Sequence, residues 1–230
     1  FLRRAAQVYP EKLAVVDGER RFTYRELAAR VNRLARALQR LGVGQGDRVC
    51  ILSPNSHFFL ESFYATSWIG AILVPLNYRL LAADHEYILN HAGVGTVLVD
   101  WEYVEVVDGI RPRLSSVRSY VVAQESGAAP AGWLDWNALL AVESDEPPPA
   151  PERSENDVVS LNYTSGTTAR PKGVMLTHRN CYLNAYNLIA HLRISHDDVE
   201  LWTLPMFHCN GWGGVYALTG MGGTHVVLRS

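Results

Sequence analysis

The chain has 230 residues, of which 48% are hydrophobic and 19% are charged, a balance that is ordinary for a globular domain with a buried core. Its formal net charge of −2 excludes the strong positive field that attracts nucleic acid, so an anionic ligand has to be held by local groups. No apolar run reaches the roughly 18 residues of a membrane-spanning helix, and three widely spaced cysteines without a C-x-x-C pair argue against a zinc site or a disulfide framework and favour a reducing cytoplasm.

The first residues predict a short helix and a hairpin. The helix is expected over 1–8, and the strand Leu13–Val16 is followed by Asp17-Gly18, a dipeptide that is typical of tight hairpin turns. A return strand is then expected at Arg21-Phe22.

A long amphipathic helix follows and is expected to end near Gly42. Thr23 and Glu26 have the spacing of a capping box, which predicts where this helix begins. Apolar side chains at helical spacing predict one buried face, formed by Leu27, Val31, Leu34, Leu38 and Leu41. Much of the remaining surface carries Arg25, Arg30, Arg33, Arg36 and Arg40. Because no aromatic residues interleave with these arginines, we expect a solvated face rather than a nucleic-acid surface.

Strands and helices alternate between residues 43 and 122. We expect strands over 48–52, 71–76, 96–99 and 117–122, and helices over 56–70, 82–92 and 101–111. This alternation predicts an α/β fold in which a parallel sheet is covered by helices on both faces. We expect the aromatic residues Phe58, Phe59 and Phe63 to belong to its core.

Residues 143–156, ESDEPPPAPERSEN, mark the sharpest change in composition. Prolines lie among acidic residues and no apolar residue repeats, which predicts an exposed linker that is stiff where the prolines cluster. We therefore divide the chain into an α/β unit over 1–142, this linker, and a third segment over 157–230.

Residues 158–178 contain the most informative pattern in the chain. A strand over 158–163 and a short strand over 174–176 enclose a loop of small, hydroxyl-bearing and basic residues, and Thr177 is a suitable N-cap for a helix over 178–192. Small residues let backbone amides approach an anion, and a lysine adds a mobile positive charge, so the loop predicts a phosphate site. The candidate phosphate-binding residues are Thr164, Ser165, Gly166, Thr167, Thr168 and Lys172.

Two alternatives compete with this interpretation. Gly, Ser and Thr are ordinary turn residues, so the loop could be a polar hairpin that binds nothing. A Walker-type P-loop is the other alternative, and it fails because Pro171 replaces its second glycine and Gly173 replaces the residue that holds magnesium. A strand rather than a helix is also expected after Lys172.

A second candidate segment covers residues 205–214, PMFHCNGWGG. It follows a predicted strand over 199–204 and precedes a predicted helix over 212–220, and loops at strand ends face the ligand crevice of α/β proteins. The candidate substrate-binding residues are His208, Asn210 and Gly211. The alternatives are that His208 only caps or packs, or that Cys209 is a nucleophile, which would lack an orienting third group.

The loop at 163–174 resembles the signature of the adenylate-forming superfamily, which includes AMP-forming acyl-CoA synthetases, peptide-synthetase adenylation domains and beetle luciferases. Its pattern is close to Y-T-S-G-T-T-G-x-P-K-G-V, and the chain departs from it at Ala169, where the family has glycine. The segment at 205–214 is similar to the acyl-binding segment of fatty-acid and aromatic-acid CoA ligases. In that family the position of His208 lines the carboxylate end of the acyl pocket.

The resemblance implies a layered α/β/α domain, incomplete in this chain, and a reaction in two steps that uses ATP, Mg²⁺ and CoA. A carboxylic acid is first converted to acyl-adenylate, and the thiol of CoA then displaces AMP. The remaining contacts of the family lie beyond Ser230, so no catalytic residue is assigned here, and both chain ends are those expected of a fragment. Transfer to a carrier protein and a nucleotide-binding module without catalysis are the alternatives. We expect a small carboxylic acid as partner, no nucleic acid, no membrane span and a possible homodimer.

Overall fold

The structure is a computed structural model that describes residues 1–124, 127–164 and 170–229. Its strands are β1 (Leu13–Asp17), β2 (Arg20–Thr23), β3 (Arg48–Leu52), β4 (Ile72–Pro75), β5 (Thr96–Asp100), β6 (Ser119–Ala123), β7 (Leu134–Asp135), β8 (Val158–Thr164), β9 (Lys172–Thr177), β10 (Val199–Trp202) and β11 (Thr224–Val227). Its helices are α1 (Leu2–Val8), α2 (Tyr24–Arg40), α3 (His57–Trp68), α4 (Ala82–Ala92), α5 (Val104–Ile110), α6 (Trp136–Ala141), α7 (His178–Leu192), α8 (Cys209–Trp212) and α9 (Gly214–Met221). Short 3-10 helices cover Trp101–Tyr103 and Arg111–Arg113.

Within the described ranges the strands form two sheets. The larger has the order β7-β6-β5-β3-β4-β8-β9 and is parallel except for β9, which runs antiparallel to β8. The smaller has the order β10-β11-β1-β2, with β2 antiparallel to β1. The predicted α/β class is confirmed. The second sheet was not predicted, and neither were β7 and α6.

The larger sheet is covered on both faces, as expected from the alternation of strands and helices. Successive residues of β3 show this directly, because Val49 and Ile51 belong to a core shared with α2 and α3, whereas Cys50 and Leu52 belong to a core shared with α4 and α5. The aromatic residues predicted for the core are buried in the first of these: Phe58, Phe59 and Phe63.

Strand pairing crosses the proline-rich segment. β8 lies beside β4, with Ser160 opposite Leu73, and β11 lies beside β1, with His225 opposite Val15. The division at 143–156 therefore describes a change in composition rather than a break in hydrogen bonding, and the three-part division of the chain stays a prediction.

The amphipathic helix α2 forms as its sequence predicts. Thr23 and Glu26 make the capping box, with the Thr23 amide donating to Glu26 Oε2 at 2.7 Å and the Glu26 amide donating to Thr23 Oγ1 at 3.2 Å. The leucines and the valine of the apolar face are buried except Leu41, which is partly buried against the same core. Each fully buried side chain of this size contributes about 1.5–3 kcal/mol.

The arginine-bearing face of α2 is solvated at Arg25, Arg33 and Arg40, as expected, whereas Arg30 is mostly buried. Arg30 pairs with the fully buried carboxylate of Glu61 at 2.5 Å. Further along the helix, the arginines contact the acidic start of the proline-rich segment. Arg33 lies 3.6 Å from Asp145, and Arg40 lies 2.8 Å from Glu143. Arg36 Nε donates a hydrogen bond to the Glu146 carbonyl at 2.7 Å. The residues 143–146 are thus docked on α2 rather than free. Exposed ion pairs are each worth about 0–1 kcal/mol, so this docking depends on several of them together.

A buried histidine connects the smaller sheet to α9. His225 Nδ1 accepts a hydrogen bond from Trp202 Nε1 at 3.0 Å, which leaves the proton on Nε2, and Nε2 lies 2.9 Å from Thr219 Oγ1. Burial lowers the pKa of His225 to about 3, so the folded protein keeps this imidazole neutral at ordinary pH.

We expect His225 to make the protein less stable in mild acid. An unfolded histidine is protonated below about pH 6.5, whereas folded His225 stays neutral until about pH 3, so the unfolded state binds the extra proton between these values. The free energy of unfolding should fall by about 2 kcal/mol from this group alone between pH 7 and pH 5. In denaturant titrations His225→Gln should lose this slope, and the exposed-site control His191→Gln should keep it. Identical pH dependence in wild type and His225→Gln would contradict the assignment.

Candidate active site

The candidate phosphate loop is the turn of an antiparallel hairpin. Thr164 at the end of β8 lies opposite Lys172 at the start of β9, so these two candidate residues are neighbours in the hairpin. The predicted phosphate-binding residues Ser165, Gly166, Thr167 and Thr168, and the departure from the family at Ala169, lie outside the described residues. Their roles stay predictions.

Two cations flank this loop, and they differ in how they are engaged. The guanidinium of Arg170 lies over the ring of Tyr87, 5.1 Å from its centroid, in a cation–π contact. Lys172 is exposed, and its side chain makes no ion pair or hydrogen bond with any residue in the described part of the chain. The charge of Lys172 is therefore the more available of the two for an anionic ligand.

The second candidate segment contains a left-handed turn. The φ angles are 49° at Cys209, 53° at Asn210, 58° at Gly211, 58° at Trp212 and 81° at Gly213, so α8 winds in the opposite sense to an ordinary helix. Each non-glycine residue in this conformation costs about 1–2 kcal/mol, which the surrounding contacts have to offset. The helix predicted over 212–220 begins after the turn, at Gly214, and ends at Met221.

Close packing explains the two glycines of the turn. A Cβ at Gly211 would lie 2.4 Å from the Trp202 ring, and a Cβ at Gly213 would lie 2.2 Å from Asn184 Nδ2. Asn184, on α7, uses this close approach to donate a hydrogen bond to the Trp212 carbonyl at 2.8 Å. Gly211 is thus required for space as well as for positive φ, whereas a Cβ at Gly213 would displace the Asn184 amide and break its hydrogen bond.

A buried polar network joins the turn to the hairpin. Asn162 Nδ2, on β8, donates to Asn210 Oδ1 at 3.0 Å and also lies 3.3 Å from the Phe207 carbonyl. Ser160 Oγ lies 2.9 Å from Asn162 Oδ1. We did not assign Ser160 or Asn162 from the sequence. The available signal was a pair of polar residues at alternate positions of an otherwise apolar strand, which places both on one face.

Asn55 fixes the approach to the turn. Its Nδ2 donates to the carbonyls of Trp202 and Leu204 at 3.0 and 2.9 Å, and its Oδ1 accepts from the Met206 amide at 2.7 Å. The sequence indicates only a turn residue after β3 at this position. Because β10 ends at Trp202, the backbone groups after it have no strand partner, and the Asn55 side chain makes hydrogen bonds with three backbone groups of residues 202–206 instead.

The hairpin, α7 and the left-handed turn enclose a cavity of about 370 Å³, which we call the acid cavity. Of the predicted site residues, Thr164, His208 and Asn210 line it. Gly211 instead packs against Trp202, and Lys172 lies at the adjoining hairpin end. Apolar side chains supply much of the remaining wall: Val174, Leu176, Leu188, Phe207 and Trp212. A mixed wall of this kind suits a small organic ligand with one polar end.

The imidazole of His208 is exposed at the cavity. His208 is the N-cap of α8 but makes no side-chain capping bond, so the capping alternative has no support in its hydrogen bonding. Its Nε2 lies 4.0 Å from Cys209 Sγ, at the outer limit of a hydrogen bond to sulfur. No hydrogen bond from the described ranges orients the ring through its other nitrogen. The geometry therefore favours a ligand-contacting histidine over a cysteine nucleophile.

Among the residues that the structure describes, no three His, Cys, Asp or Glu side chains gather as metal ligands, and Mg²⁺ stays a prediction tied to ATP. In the same residues no helix is both long and apolar enough to cross a membrane.

Comparison with known proteins gives consistent results. Residues 2–230 match the AMP-binding enzyme family. The chain is 35% identical to the peroxisomal butyrate–CoA ligase AAE11 of Arabidopsis thaliana, covering all of this chain and 42% of that protein. It is 40% identical to a long-chain-fatty-acid–CoA ligase of Thermus thermophilus, covering 99% of this chain and 42% of that protein.

Solved structures agree with these relatives. The anthranilate CoA ligase AuaEII in complex with anthranoyl-AMP superposes with a TM-score of 0.93 at 27% identity, covering 100% of this chain and 45% of that one. The inhibitor-bound N-terminal domain of FACL13 from Mycobacterium tuberculosis superposes with a TM-score of 0.86 at 32% identity, covering 100% and 56% respectively. The chain spans about two-fifths of the curated relatives' length. Because the match extends over nearly every residue, this chain belongs to the AMP-binding enzyme family.

Proposed function

We propose that the protein containing this chain is an AMP-forming acid–CoA ligase. It uses ATP to convert a carboxylic acid to acyl-adenylate and then transfers the acyl group to CoA. The observation that carries the proposal is the position of the acid cavity next to the hairpin of β8 and β9, which ends at the candidate phosphate loop. Thr164 lines the cavity and is also the last residue of β8. Relatives named as butyrate–CoA and long-chain-fatty-acid–CoA ligases support the choice of a carboxylic acid.

In the first step, an oxygen of the acid's carboxylate attacks the α-phosphorus of Mg-ATP, and the bond from that phosphorus to the bridging oxygen breaks. Pyrophosphate leaves with that oxygen and its electron pair. Because the carboxylate is already a nucleophile, the protein has to position it and stabilise charge on the phosphates. We assign the acid cavity to the first task and the hairpin with Lys172 to the second.

In the second step, the sulfur of CoA attacks the acyl carbonyl carbon, AMP leaves, and the thiol proton is released. The β- and γ-phosphates are no longer present at this stage, so the hairpin contributes chiefly to the first step. ATP, Mg²⁺ and CoA are thus proposed cosubstrates, with Mg²⁺ bound to the nucleotide.

The compartment and the assembly are proposals as well. Cys50, Cys181 and Cys209 are all unpaired, which favours a reducing compartment such as the cytoplasm. The peroxisomal relative from Arabidopsis makes the peroxisome the compartment to compare with it. We propose a small-molecule partner, no nucleic acid, and a homodimer as the assembly to test.

Acid-dependent ATP–pyrophosphate exchange tests the proposal. A full-length protein containing this chain should catalyse exchange with at least one acid from a panel of linear and aromatic acids, and CoA should then convert the product to a thioester. Exchange without thioester formation would indicate a carrier protein as acceptor. Absence of exchange with every acid, in a protein that binds ATP, would reject catalysis.

Lys172→Ala should weaken the first step selectively. A hydrogen bond to a charged group contributes about 1.5–3 kcal/mol, so KM for ATP in the exchange reaction should rise about 10- to 100-fold. Thioester formation from supplied acyl-adenylate should stay near wild type, because the β- and γ-phosphates have already left. Arg170→Gln is the matched control, and its KM should change by no more than about twofold because Arg170 is held on Tyr87. Equal losses in both half-reactions would remove Lys172 from the phosphate role.

Gly211→Ala should reduce acid activation by displacing the left-handed turn. The added Cβ would meet the Trp202 ring at 2.4 Å in a residue with a φ of 58°, and the conformation alone costs about 1–2 kcal/mol. We expect a higher KM for the acid and a lower melting temperature. Gly109→Ala is the matched control, since its Cβ would meet no atom within 4 Å. A Gly211→Ala protein with unchanged KM for every acid would show that the turn does not shape the acid cavity.

A further inference from the structure

A second cavity lies behind the acid cavity. It has a volume of about 870 Å³ and is bordered by α1, α2, α3, α7 and the proline-rich segment; we call it the rear cavity. Two residues, Cys181 and Tyr216, line both cavities. These two side chains therefore form a partition between the acid cavity and the rear cavity.

The two residues of the partition differ in size and in how they are held. The ring of Tyr216 is held by edge-to-face contacts with Phe63, at 5.8 Å between centroids, and with Tyr64, at 6.2 Å. Cys181, near the start of α7, contributes only a small thiol. Burial raises the pKa of this thiol to about 11, although hydrogen bonds with Tyr216 and Asn210 oppose the shift, so the thiol is uncharged at neutral pH.

One part of the rear cavity's wall is suited to an alkyl chain. Val31, Tyr64 and Trp68 belong to this part, and the charged residues Arg153, Glu155 and Arg179 border the cavity elsewhere. The polar atoms of the two aromatic residues are occupied elsewhere, because Tyr64 donates to the Val215 carbonyl at 3.1 Å and Trp68 Nε1 donates to the Pro148 carbonyl at 2.9 Å. Their remaining surface is apolar. An alkyl tail that entered the cavity would therefore break no hydrogen bond of Tyr64 or Trp68.

The acid cavity by contrast is small. Its volume of about 370 Å³ is near the lower end of ligand sites, which span about 300–1,000 Å³. With the partition closed, a short linear acid or a single-ring aromatic acid fits, whereas a long alkyl tail would have to cross the line between Cys181 and Tyr216.

We propose that Cys181 and Tyr216 determine the length of the acid that this protein activates. They close the acid cavity at its far end and restrict the substrate to short and single-ring acids. Shortening either side chain opens the rear cavity to a longer tail. This inference rests on the proposed function and adds a substrate class to it.

The test is a chain-length profile of acid-dependent pyrophosphate exchange, from acetate to tetradecanoate, on the full-length protein. Cys181→Ala should extend the longest accepted acid by two or more carbons, and Tyr216→Ala should extend it further. Cys181→Leu should shorten the profile, since it thickens the partition. The control is Cys50→Ala, which removes a buried thiol that lines neither cavity and should give the wild-type profile.

The outcomes separate this inference from the function on which it rests. Exchange with no acid in the wild type rejects the proposed function. Exchange in the wild type, with one and the same profile in Cys181→Ala, Cys181→Leu and Tyr216→Ala, overturns the partition alone. A wild type that already activates tetradecanoate as well as acetate also overturns it. If Tyr216→Ala does not fold by melting temperature, the opposite shifts expected of the two Cys181 variants decide the question.

Discussion

The buried hydrogen bond between Asn162 and Asn210 holds the two halves of the site in register. Asn162 belongs to β8, which ends at the candidate phosphate loop, and Asn210 belongs to the left-handed turn that follows His208. These segments are separated by α7 and β10 in the chain. A buried amide that lost its partner would cost about 1–3 kcal/mol, so the pair favours one relative position of hairpin and turn. The acid cavity is the space that this position leaves between them.

The left-handed turn depends on the same kind of support. Its backbone is strained at Cys209, Asn210 and Trp212, and strained residues persist only where neighbouring contacts over-determine them. Asn55 holds the segment before the turn, and Asn184 holds the carbonyl within it. The strain also has a consequence for the ligand, because it turns the chain sharply between β10 and α9 and leaves His208 exposed at the cavity.

Local signals in the sequence predicted the elements that local forces make. The capping box of α2, the N-cap of α7 at Thr177 and the strands β8 and β9 follow from residues close together in the chain. The second sheet was not predictable in this way, because β1 pairs with β11 and the pairing leaves no periodic trace in either segment. The partners of Arg33, Arg36 and Arg40 were not predictable for a related reason, because the acidic segment that holds them lies more than a hundred residues further along. In the candidate site, residue types alone indicated the loop and His208. Asn162, Cys181 and Tyr216 were recognised only from the tertiary structure, which brings them to the cavity.

The choice of amides for these supports follows from the charge of the proposed ligands. Asn162, Asn180, Asn184 and Asn210 all line the acid cavity, and none of the described residues in its wall is Asp or Glu. A carboxylate could make the same accepting hydrogen bonds, but it would repel both the acid's carboxylate and the phosphates of ATP at close range. Two unit charges 4 Å apart interact with about 4 kcal/mol near a protein surface. Asparagine supplies donors and acceptors without that repulsion.

A neutral wall also leaves Lys172, at the hairpin end, as the local positive charge toward which an anionic substrate would orient. The polarity of the cavity itself therefore favours binding with the carboxylate toward the phosphates.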